Sequence, residues 1–137
     1  MKILKYLTIA ISTSLPLQLF ATPNELEVFN DSDKSIDMQI HGKFIGHEVP
    51  AEIASSISWS NLKELCNAGA SNTISISADL CAAEVYLSPN TLDQKALGII
   101  LINLVRGNII IVRQDPVLTG YQIVPYGNGQ LLIENTQ

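Results

Sequence analysis

From Glu25 onward the apolar residues recur at every second position rather than every third or fourth. In ELEVF (25–29) Leu26 and Val28 face one way and Glu25 and Glu27 the other; in IDMQI (36–40) Ile36, Met38 and Ile40 share a face. That period of two predicts half-buried strands. The polar run NDSDKS (30–35) between them reads as a turn. HG (41–42) stands where a two-residue hairpin turn needs positive φ at both positions, which histidine tolerates better than most non-glycine residues. KFIGHEV (43–49) is then expected to return as the partner strand.

The middle is less regular. PAEIASSISWSN (50–61) is serine-rich with a proline at its head, and reads as a crossover between sheets. NLKELCNAG (61–69) has the pattern of one short helix. Asn61 is its cap, Glu64 the capping-box partner, Gly69 the stop, and Leu62, Leu65 and Cys66 share a face. NTISIS (72–77) and CAAEVYLS (81–88) alternate as strands. Farther on, LGIILINLVRGNIIIVRQ (97–114) places two apolar, β-branched runs around RGN. Each run is too short to span a membrane, so the stretch is expected to form a hairpin buried on both faces. GYQIV (120–124) and QLLIE (130–134) add two strands across a turn carrying Asn128-Gly129.

About 8–9 short strands with one short helix, regular turns and no alternation of strand with helix predict a mainly all-β domain. The expected architecture is an antiparallel β-sandwich over residues 22–137, with a closed barrel as the alternative. At that level of architecture the chain resembles small exported β-sandwich proteins.

Residues 1–21 follow another pattern. Lys2 and Lys5 precede the moderately apolar YLTIAISTSLPLQLF, and Ala21 supplies a small residue for cleavage, although Leu19 stands where a small residue is expected at −3. This is the pattern of a signal peptide. Its apolar stretch, interrupted by Pro16 and Gln18, falls short of the roughly 20 residues that a membrane-spanning helix needs. The chain is therefore expected to be exported, periplasmic or secreted, with no membrane span after cleavage. Composition agrees with a packed domain, at 47% hydrophobic and 15% charged residues over 137. The net charge of −5 and the absence of any Lys/Arg cluster argue against a nucleic-acid partner.

Export also decides the chemistry of the two cysteines. Cys66 and Cys81 show no C-x-x-C spacing and have no histidine beside them, as zinc or thioredoxin-like chemistry would need. In an oxidising compartment they are expected to pair as a structural disulfide. His41 and His47 are expected to lie on the order of 20 Å apart along the hairpin, too far to share an ion. NDSDKS lacks the glycine and the bidentate glutamate of an EF-hand loop. SNLK (60–63) matches S-x-x-K, but the S-D-N and K-T-G elements that accompany that nucleophile are missing. No catalytic, cofactor or metal residues are assigned. Trp59 and Tyr126 are the candidate partner contacts, Trp59 being equally a candidate core plug.

The function expected from these features is a small exported, non-enzymatic binding protein with a protein or glycan partner. The alternatives are a small secreted hydrolase or hydrolase inhibitor, and a structural subunit of an envelope assembly completed by strand addition.

Overall fold

The computed structural model describes residues 22–68 and 79–136. The expected signal peptide and the NTISIS strand lie outside those residues. Strands β1 (Glu25–Asp31), β2 (Ile36–Ile40), β3 (Lys43–Phe44) and β4 (Ala54–Ser58) lead into helix α1 (Trp59–Ala68). Then come β5 (Leu80–Leu87), β6 (Lys95–Asn103), β7 (Ile109–Gln114), the single-turn helix α2 (Pro116–Thr119), β8 (Tyr121–Gly127) and β9 (Gln130–Asn135). They form two packed sheets, one ordered β4-β1-β9-β8 and the other β3-β2-β5-β6-β7. The sandwich expected from the alternation is therefore present, with no closed barrel among the described residues. One pairing departs from the antiparallel expectation: β1 and β9 run parallel, Val28 opposite Leu131 and Asn30 opposite Ile133.

The core lies between the inward rows. Leu26, Val28, Ile123, Leu131 and Ile133 of the four-stranded sheet meet Ile36, Met38, Val85, Ile100 and Ile102 of the other. At one edge the sheets are fastened by Gln114 at the end of β7. Its side chain accepts from the Ile123 amide at 2.9 Å and donates to the Ile123 carbonyl at 3.2 Å. Gly98 makes room there: a Cβ at that position would stand 2.3 Å from the Arg113 carbonyl oxygen.

Four local expectations are corrected. The serine-rich crossover contains β4, which pairs with β1 from Glu25–Ser58 to Phe29–Ala54. Serine lowers strand propensity without forbidding it, and the ladder to β1 decides the outcome. Helix α1 begins at Trp59, and the Ser58 hydroxyl, not Asn61, caps it by accepting from the Asn61 amide at 3.2 Å. The return strand after the His41-Gly42 turn is cut to Lys43–Phe44. Gly46, at φ +75°, bends the chain, and only Val49 rejoins β2 opposite Ile36. The β6–β7 hairpin is not buried on both faces: Ile110 and Val112 are 53% and 57% exposed, while Ile109 and Ile102 face the core. A continuous apolar run does not distinguish a doubly buried strand from one with an open outer face.

The passage of the chain from one sheet to the other between β1 and β2 depends on Asn30. Its buried carboxamide NH₂ is shared among the carbonyls of Lys34 (2.7 Å), Val49 (3.0 Å) and Pro50 (3.0 Å). Its oxygen accepts from the amide of Ser32 at 3.1 Å and from the Ser32 hydroxyl at 2.6 Å. The Asn30 amide donates to the Ile53 carbonyl at 3.0 Å. One side chain thus satisfies polar groups in two segments, 32–34 and 49–50, and its backbone amide adds Ile53. The opposite end is closed differently. The Trp59 indole N–H donates to the Leu104 carbonyl at 2.8 Å, and the Cys66–Cys81 disulfide ties α1 to β5 across a Cα–Cα distance of 5.7 Å.

Asn30→Ala leaves several buried acceptors and donors unmatched, and is expected to lower unfolding stability by about 3 kcal/mol. Replacing both cysteines by serine releases a loop of sequence separation 15, for an expected loss also of about 3 kcal/mol. Urea unfolding of the two variants measures both, and equal midpoints for Asn30→Ala and the unmutated chain would refute the assigned role of Asn30.

Candidate partner-binding end of the sandwich

Strand direction gathers three connections at one end of the sandwich. Strand β1 ends there at Asp31 and β2 begins at Ile36, opposite Leu87 at the end of β5. Strand β6 starts there, and β7 finishes with Gln114 opposite Gly98. Strand β8 begins with Tyr121 opposite Asn135. The turn 31–35, the loop 88–94 and the segment 115–120 therefore project together.

Each is stiffened by its own hydrogen bonds. In 88–94, the Thr91 hydroxyl donates to the Ser88 carbonyl at 2.7 Å, and the Asn90 amide to the Gln94 side chain at 2.8 Å. Ser88 and Asn90 both have positive φ, +48° and +62°. Such backbone geometry is uncommon outside glycine and marks a chain held in place by its surroundings. In 115–120, Asp115 caps α2 by accepting from the Leu118 amide at 3.1 Å, Pro116 opens it, and Gly120 closes it at φ +82°. The turn 31–35 is tied to β8 and β9 by Asp33, which accepts from the Tyr121 hydroxyl at 2.7 Å and from the Asn135 amide at 3.3 Å.

Among the side chains these loops hold outward, three are large and apolar. Leu92 is fully exposed, Val117 is 96% exposed and Leu118 is 80% exposed. Beneath Leu92 lies an open groove of about 460 Å³, bordered by Lys34, Asp93, Gln94, Lys95 and Tyr121. Isolated surface leucines and valines are ordinary. Three strongly exposed aliphatic side chains at one end of the sandwich, Leu92 of them beside a groove of mixed polarity, are candidates for contact with an apolar counterpart.

The residues singled out from sequence lie elsewhere. Trp59 is in the core, so its indole meets Leu104 rather than solvent; of the two roles considered for it, the structure assigns the core plug. Tyr126 is half-buried on the outer face of the four-stranded sheet, with its ring centroid 5.5 Å from that of Phe29. His41 donates from Nε2 to the Cys66 carbonyl at 2.6 Å, while His47 shares a 2.9 Å hydrogen bond with Ser55. The two rings thus serve α1 and β4 and do not converge. Ser60 and Lys63 of SNLK lie on the exposed face of α1. No cluster of three or more His, Cys, Asp and Glu side chains suited to a metal ion occurs among the described residues. The loop-end residues were missed, yet one of their signals was present: DPVLTG (115–120) carries an Asp cap, a proline at the first helical position and a closing glycine.

Two carboxyls move in opposite directions. The Tyr121 hydroxyl, with help from the Asn135 amide, holds Asp33 below its ordinary value of 3.8. Burial raises Asp37 above 3.8, against the pull of the Met38, His47 and Gly46 amides. For Asp33, whose folded value is the lower one, the added stability is fully present above 3.8 and is lost as the pH falls through the folded value. Asp37 has the opposite sign: stability rises as the pH falls through its raised folded value. Carboxyl NMR titration is expected to place the two midpoints on either side of 3.8, and Tyr121→Phe to move Asp33 upward. An Asp33 midpoint unchanged by that substitution would remove the Tyr121 bond as its cause.

Comparison with known proteins follows the same architecture. The chain is similar to the crystal structure of the Legionella pneumophila type II secretion system substrate NttC, with a TM-score of 0.70 and 18% sequence identity over 83% of this chain and 99% of that one. At that identity the likeness concerns the fold. A search of curated protein sequences finds no match. The family model described as T2SS substrate NttC matches residues 1–136, and the chain belongs to that family.

Proposed function

We propose that this protein is a secreted, non-catalytic binding protein whose loop end takes the partner. The observation that carries the reading is the strong exposure, at one end of the sandwich, of Leu92 on the rim of the groove of Lys34, Asp93, Lys95 and Tyr121 and of Val117 and Leu118 on the segment 115–120. Family membership supports export, because the family is one of type II secretion substrates. The disulfide fits an oxidising destination, and residues 1–21 are read as the signal peptide that begins the route. The reading carries forward the binding role expected from sequence and moves its contact surface away from Trp59.

The strand-addition alternative finds little support in the sheet order. The C-terminal strand β9 is paired on both sides, between β1 and β8. A hydrolase would need a base beside a nucleophile and a cleft for its substrate; His47 and Ser55 form such a pair at 2.9 Å, but the space lined by His47 is only about 10 Å³.

The test compares retention of the purified secreted protein on bacterial-envelope and host-cell fractions with that of Leu92→Ser/Val117→Ser/Leu118→Ser. These side chains contact water in the folded state, so the unfolding free energy should change by no more than about 0.5 kcal/mol. Retention is expected to fall at least about tenfold. Val105→Ser, at the opposite end, serves as control and should retain binding. Equal retention of the triple variant and the unmutated protein would sink the reading.

A further inference from the structure

We propose that the loop end docks on a zwitterionic lipid surface, with Leu92, Val117 and Leu118 entering the acyl boundary and the groove of Lys34, Asp93, Lys95 and Tyr121 facing the headgroups. The inference rests on the reading that this end is the binding end, and it names the class of partner.

The chemistry of the tips separates lipid from protein. Energetic anchors of protein interfaces are rich in Trp, Tyr and Arg seated in pockets. Here the strongly exposed apolar side chains are aliphatic only, Leu92, Val117 and Leu118. Such residues gain from any hydrocarbon environment and need no shaped cavity. Polar groups suited to a membrane interface lie at the same end. Tyr121, half-buried, has an apolar ring and a polar tip, as do the aromatic residues enriched at headgroup depth. Lys34 and Lys95 are exposed and have long stems that let an ammonium rise to the headgroup layer while the stem lies along apolar surface.

Charge selects the kind of lipid. The loop end carries four carboxylates, Asp31, Asp33, Asp93 and Asp115, against two ammoniums, Lys34 and Lys95. An anionic leaflet attracts basic segments and would repel this surplus of negative charge. The groove itself is lined by both signs, with Asp93 between Leu92 and Lys95. A headgroup with a phosphate and a quaternary ammonium matches that lining: the phosphate against Lys34 and Lys95, the ammonium against Asp93 and the Tyr121 ring. The stiffness of the loops matters for the same reason, because hydrogen-bonded tips lose little entropy on docking.

The experiment is flotation of the purified secreted protein with vesicles of pure phosphatidylcholine, and separately with an equimolar mixture of phosphatidylcholine and phosphatidylglycerol. The protein is expected to float with the former and at least about threefold less with the latter. The Leu92→Ser/Val117→Ser/Leu118→Ser variant, with an unchanged unfolding midpoint, should lose at least about tenfold in partitioning. Free phosphocholine in the same assay separates the two sources of the headgroup: partial competition assigns part of the affinity to the groove, and its absence with flotation intact assigns docking to the tips. No flotation with phosphatidylcholine, stronger flotation with the anionic mixture, or flotation unaffected by the triple substitution would each overturn the proposal. If vesicles are not bound but the triple variant still loses retention on cell fractions, the lipid is wrong and the binding end stands, with a protein as its partner. If neither assay depends on the tips, both readings fall together.

Discussion

The structure turns on one buried carboxamide. A sandwich whose first two strands belong to different sheets must bring the chain across the edge of the core, and the crossing exposes backbone groups that neither ladder can pair. Asn30 resolves this by serving the carbonyls of Lys34, Val49 and Pro50 and holding Ser32 from the same side chain. An unmatched buried polar group costs about 1–3 kcal/mol, so the crossing is stable only because these demands meet at one residue. The consequence reaches the surface. The turn that Asn30 shapes carries Asp33 to the Tyr121 hydroxyl, and Tyr121 borders the groove at the loop end.

The two ends of the sandwich are built on different principles. At one, α1 is locked by burial of Trp59 and Leu62, by the indole bond to Leu104, by the disulfide and by His41 on the Cys66 carbonyl. These contacts link residues far apart in sequence, and they withdraw the one tryptophan from solvent. At the other end, the loops 88–94 and 115–120 are organised by bonds within themselves, Thr91 to Ser88 and Leu118 to Asp115. Both ends stabilise the domain, one through α1 and the other through Asn30, and the Asn30 end also displays strongly exposed aliphatic side chains.

The sequence made some of this readable and hid the rest for identifiable reasons. Positive φ at His41 and Gly42 was legible because few residue pairs suit that turn. The disulfide was legible because the chain holds only two cysteines and an export pattern. The strand character of ASSIS (54–58) was not, because serine carries little preference and the decision belongs to its partner β1. The open face of IIIVRQ was not either. Ile109 and Ile111 alternate with Ile110 and Val112, so composition gives both faces the same appearance while only one meets the core. The parallel pairing of β1 with β9 joins residues about a hundred positions apart, beyond the reach of any local pattern. The loop end fell between these cases: the capping signals of α2 were in plain view, but exposure of Val117 and Leu118 is a property of the assembled fold.

That contrast bears on which apolar surface matters. Ile110 and Val112 lie on a sheet face where Leu101 stands opposite Ile110 and where Arg113 follows immediately. Their exposure is partial, and the strand owes its sequence to the inward-facing Ile109 as much as to them. Leu92, Val117 and Leu118 have no such second duty. They contribute nothing to the core cluster, and the bonds that hold their loops run through backbone groups and through Thr91, Gln94 and Asp115 rather than through the apolar side chains themselves. Folding thus gives no reason for aliphatic side chains at these positions, where a polar residue would serve the loops equally well. The role we propose for them is contact with an apolar surface outside the chain.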